Sequence, residues 1–127
     1  MAQQKLSADQ MRRIDEIQSF QRSVAKTRTL VAELESNRAA KTTIVQGFCS
    51  AIAREMSQMR QRALTANIGT VGDVAGALSV MATRSGGLNM KIRGLNDGLN
   101  SIDMQLDQSL KSAMEPEQKA AKGEPPA

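Results

Sequence analysis

From Val71 to Leu106 the chain places an apolar residue at alternating spacings of three and four: Val71, Val74, Leu78, Met81, Ser85, Leu88, Ile92, Leu95, Leu99, Ile102 and Leu106. Ser85 is the single polar member. A repeat of about 3.5 residues is the a/d seam of a coiled coil and predicts helices that supercoil against one another. A second series runs through Ile17, Phe20, Val24, Thr27, Val31, Leu34, Arg38, Lys41, Val45, Phe48, Ile52, Glu55 and Met59. It is interrupted at Arg38, Lys41 and Glu55, but its phase continues across each interruption.

Breaker residues delimit these helices. Pro116, Pro125 and Pro126 all lie near the C-terminus, and Gly47 is the only glycine between residues 7 and 68. Ser7-Ala8-Asp9-Gln10 has the form of a capping box. Gly69 is suited to the left-handed position that ends a helix, and Thr70 with Asp73 has the spacing of a second box. The expected fold is all-α: a long antiparallel helical hairpin (coiled coil) with helix 7–67, turn 67–70 and helix 71–114, pairing into a four-helix bundle. Met59 would face Met81, Ile52 would face Leu88 and Val45 would face Leu95. Residues 1–6 are read as frayed and 115–127, ending EPEQKAAKGEPPA, as a disordered tail. Ala75, Ala77 and Ala82, with Ile44, Ala51, Met56 and Ala63, flank the seams and widen the apolar stripe toward bundle packing.

In such a hairpin the first helix outruns the second. The overhang carries Met11, Ile14, Ile17, Phe20 and Val24, a stripe that nothing in the same chain would cover. These five residues are the candidate partner-docking site, for a second copy or another coiled-coil subunit. On this reading Ile14→Asp or Phe20→Asp would weaken association and leave the rest of the hairpin folded.

Composition restricts the chemistry. The 127 residues include no His, no Trp, no Tyr, two Phe and one Cys. That leaves no imidazole base or ligand, no thiolate zinc cluster and no aromatic platform for single-stranded nucleic acid. Neither a catalytic nor a metal site is expected, and no cofactor. Cys49 reads as a small core residue, and the eight Met mainly as core filling. Gly94 and Gly98 suit close helix approach, and Gly86-Gly87 a kink. Arg38 and Lys41, at seam positions, read as a loosened segment. The chain carries 17 Lys+Arg against 13 Asp+Glu. The excess lies in 7–67, where ten basic residues face six acids.

No apolar run is long enough to cross a membrane. The first residues lack a secretory core, and the lone Cys suits a reducing compartment, so the location expected is cytoplasmic. The function expected is that of a non-enzymatic coiled-coil interaction protein: a scaffold, adaptor or assembly subunit. The alternative is a basic nucleic-acid-associated helical protein.

Overall fold

The computed structural model describes residues 6–115 and contains α1 (Ala8–Ser36), α2 (Thr42–Thr65), α3 (Gly69–Thr83) and α4 (Leu88–Ala113). The expected frayed start and C-terminal tail lie outside the described residues, apart from Leu6 and Glu115. The chain is all-α, without strands among the described residues, and its helices form a four-helix bundle. The four helices come from one chain and not from two hairpins.

Each helix packs on its chain neighbours, and α4 packs back on α1 to close the ring. Cross-helix contacts show that every neighbour runs antiparallel. Lys26 on α1 meets Glu55 on α2 at 3.2 Å. Ser79 on α3 donates to the Ala53 carbonyl on α2 at 3.0 Å. Arg28 on α1 meets Asp103 on α4 at 2.5 Å, and Gln10 donates to the Ala113 carbonyl at 3.3 Å. This is up-down-up-down topology with short connections.

The helix expected over 7–67 is broken at residues 37–41. Asn37 caps α1, its backbone N–H and its side-chain amide both donating to the Glu33 carbonyl at 3.0 and 2.8 Å. The two cationic seam positions, Arg38 and Lys41, therefore lie in an exposed connection. A charge buried without a partner is costly, whereas a turn leaves it in water. The helix expected over 71–114 is also broken. Ser85, the one polar seam residue, falls in the exposed connection 84–87, where Gly86 takes φ +145.

The turn expected at 67–70 is present with different chemistry. Asn67, not Gly69, adopts the left-handed conformation, at φ 61. Ile68 N–H donates to the Ala63 carbonyl at 2.9 Å and Asn67 N–H to Leu64 at 3.4 Å. These two bonds form a Schellman motif, and the buried pair Ile68 and Ala63 supplies its apolar contact. No side chain caps the start of α3, so the Thr70–Asp73 box does not form. The Ser7–Gln10 box does: Gln10 N donates to Ser7 Oγ at 3.0 Å and Ser7 N to Gln10 Oε1 at 2.9 Å.

The core retains most of both series. Ile17, Phe20, Val24, Thr27, Val31 and Leu34 of α1 are buried, as are Ile92, Leu95, Leu99, Ile102 and Leu106 of α4. Thr27 satisfies its hydroxyl by donating to the Ser23 carbonyl at 2.9 Å. On α2 the buried face is Cys49, Ile52, Met56, Met59 and Ala63. It is rotated from the seam through Phe48 and Glu55 because α2 must face α1 and α3 at once. Glu55 stands at the edge of this face, within reach of Lys26.

Glycine sets how closely α3 and α4 approach. The Leu78 side chain fills the place a Cβ on Gly98 would occupy, and Met81 Sδ lies 2.6 Å from one built on Gly94. The close approach expected at these two positions is present.

Candidate interaction surfaces

The five proposed docking residues do not form an open stripe. Ile17, Phe20 and Val24 are at most 1% exposed, Ile14 is half-buried and Met11 is 56% exposed. Their cover is the same chain, since α2 folds back along α1 where an extended first helix would have left them bare. The Arg62 guanidinium stacks 4.5 Å from the Phe20 ring centroid and donates to the Ser23 hydroxyl at 3.0 Å and to Ser19. Arg13 donates to the Ala66 carbonyl at 2.5 Å, holding α1 to the end of α2. Within the chain, then, Ile17, Phe20 and Val24 are covered, while Met11 stays exposed.

A different surface remains apolar and open. Helix α3 has a single charged residue, Asp73, in its sequence GTVGDVAGALSVMAT. Its inner face is Val71, Ala75, Leu78 and Ala82. Ala77 and Val80, the latter 54% exposed, stand on its outer face beside Asp73, and Val74 and Met81 edge that face while packing on the core. The seam reading assigned Val74 and Met81 to one core line. They lie at its edge, because α3 has only two neighbours to cover it. The signal available in the sequence was the near-absence of charge over residues 69–83.

Shallow clefts lie at helix junctions of the bundle. One of about 410 Å³ opens beside Phe20 between Ser19 and Arg62. One of about 430 Å³ includes Arg13, Thr70, Gln105 and Ser112. One of about 330 Å³ lies by Cys49, Arg84 and Lys91. Cys49 is buried, with its thiol free. No group of three His, Cys, Asp or Glu gathers among the described residues. Met56 and Met59 are core residues, whereas Met90 and Met104 are 74% and 72% exposed. Among the described residues no helix is long and apolar enough to cross a membrane.

Charge is distributed unevenly between the two ends of the bundle. At the end where α1 begins and α4 finishes, Arg12 pairs with Asp9, Arg13 with Glu16 and Lys111 with Asp107. Midway along, Lys26 pairs with Glu55 and Arg28 with Asp103. The opposite end holds both the 37–41 and 84–87 connections, and there Arg38 donates to Asn89, in the first turn of α4, at 3.0 Å. The chain matches no protein-family model, no curated protein and no solved structure.

Proposed function

We propose that this chain is a non-enzymatic helical-bundle interaction protein, an adaptor or assembly subunit of the cytoplasm that docks a helix of another chain. The surface for that contact is the outer face of α3 and not the stripe on α1. The observation that supports the reading is the exposed pair Ala77 and Val80, edged by the part-buried Val74 and Met81, on a helix whose single charge is Asp73. Ala77 lets a partner helix approach closely, and Val80 gives it an apolar side chain to pack on.

The test compares wild type with Ala77→Arg and Val80→Asp. Both positions are exposed, so the variants fold and keep their helical circular dichroism. Sedimentation of the purified chain detects self-association, and parallel affinity purification detects a distinct subunit. A partner held by wild type and lost by both variants is the expected result. A partner set that both variants retain removes α3 as the docking face.

The nucleic-acid reading has less support. Arg12, Arg13, Lys26 and Arg28 are engaged by carboxylates. Arg62 lies on Phe20, and Arg60 fills the space above Gly76. Six of the ten basic residues of 7–67 are thus engaged in contacts within the bundle.

A further inference from the structure

The bundle end formed by the two connections carries Arg38, Lys41, Arg84, Lys91 and Arg93. None of the five has a carboxylate partner within salt-bridge distance among the described residues. Every ion pair found among those residues lies toward the other end or in the middle of the bundle. Acids at this end are fewer: Glu33 and Glu35 on the last turns of α1, and Asp97 on α4, of which Glu35 and Asp97 line one cleft with Arg38 and Arg93. Two helix N-termini and two C-termini meet here, so the backbone dipoles largely cancel and the side chains set the sign.

Apolar side chains stand among these cations. Ile44, in the first turn of α2, is 46% exposed, and Met90, in the first turn of α4, is 74% exposed. Both are within a few residues of a lysine. Unpaired cations on flexible stems beside protruding aliphatic side chains match an anionic lipid surface. There the cations meet headgroup phosphates and carboxylates while Ile44 and Met90 enter the acyl boundary. Nucleic acid fits less well, since it would draw on the cations and leave Ile44 and Met90 in water, and the aromatic residue near this end, Phe48, is part-buried and packed on the core.

We infer that the end of the bundle holding residues 37–41 and 84–87 is a peripheral binding site for anionic phospholipid surfaces, built from Arg38, Lys41, Arg84, Lys91 and Arg93 with Ile44 and Met90 as shallow apolar anchors. It is separate from the α3 face and does not depend on it. The interaction orients the bundle axis across the membrane plane and leaves the opposite end clear.

Sedimentation of the full chain with vesicles tests this, using phosphatidylcholine alone and phosphatidylcholine mixed with phosphatidylserine. Binding to the mixed vesicles only, lost as salt is raised, is expected. Lys41→Gln and Lys91→Gln each lower that binding by about fivefold. Met90→Ser lowers it as well, with circular dichroism unchanged. Duplex DNA at equal phosphate concentration is the parallel arm. Absence of binding to the mixed vesicles overturns the inference. So does DNA binding as tight as vesicle binding with Met90→Ser silent in both, which identifies a site for nucleic acid phosphates.

Discussion

Gly98 and Gly47 show what a side chain costs when space is absent and when it is present. A Cβ on Gly98 would strike three carbon atoms of Leu78, including Cγ, so a change of rotamer at the branch tip does not relieve it. Gly98→Ala should lower stability by about 1–3 kcal/mol. Gly94→Ala should cost less, because the obstructing atoms are the flexible end of Met81. Gly47 lies inside α2 with nothing near its missing Cβ, so Gly47→Ala should add about 0.5–1 kcal/mol. Denaturant titration of the three variants checks both the signs and the order. Phe20→Asp, expected in an extended hairpin to affect association alone, should unfold this bundle, because the ring is sealed beneath Arg62 and the core. Circular dichroism settles it: a helical, cooperatively melting Phe20→Asp protein would mean that α2 does not cover α1.

At the scale of the element, helix ends decide more than helix interiors. The Ser7–Gln10 box was readable because capping depends on residues three apart in sequence. Ser7→Ala should cost about 0.5–2 kcal/mol, with hydrogen exchange rising first at the start of α1. Asn67 was not readable as the left-handed residue, since Gly69 stood two positions away with the better intrinsic preference. Register chose between them: ending α2 at Thr65 lets Ile68 reach the core beside Ala63. Asn67→Gly should therefore be neutral or slightly stabilising, and Asn67→Val should cost about 1–2 kcal/mol, as measured by thermal unfolding. Arg38, Lys41 and Ser85 carried the signal for the other two connections. A seam that keeps its phase says nothing about whether the helix continues, because a five-residue turn can return the chain to the same phase.

For the whole molecule, the test of topology is insertion. Two glycines placed between Ala39 and Ala40 lengthen an exposed connection, and loop-closure entropy grows slowly with length. The midpoint of unfolding should move by only a few degrees. In a helix continuous from 7 to 67 the same insertion would break the rod and shift every later seam residue. The choice between one bundle and two paired hairpins was not available from periodicity, since both bury the same heptad positions. It depends on whether α2 returns along α1 or runs on. The contacts of Arg13 with Ala66, Lys26 with Glu55 and Arg62 with Phe20 show that it returns.

The all-helical class, the core positions of α1 and α4 and the close approach at Gly94 and Gly98 followed from the order of residues alone. Each depends on spacing along one helix, which sequence records directly. Which chain covers Ile17, Phe20 and Val24, which face of α3 stays open and how five cations come to share one end were decided by the tertiary fold. Those properties belong to pairs of helices, and only the direction in which each turn sends the chain brings the pairs together.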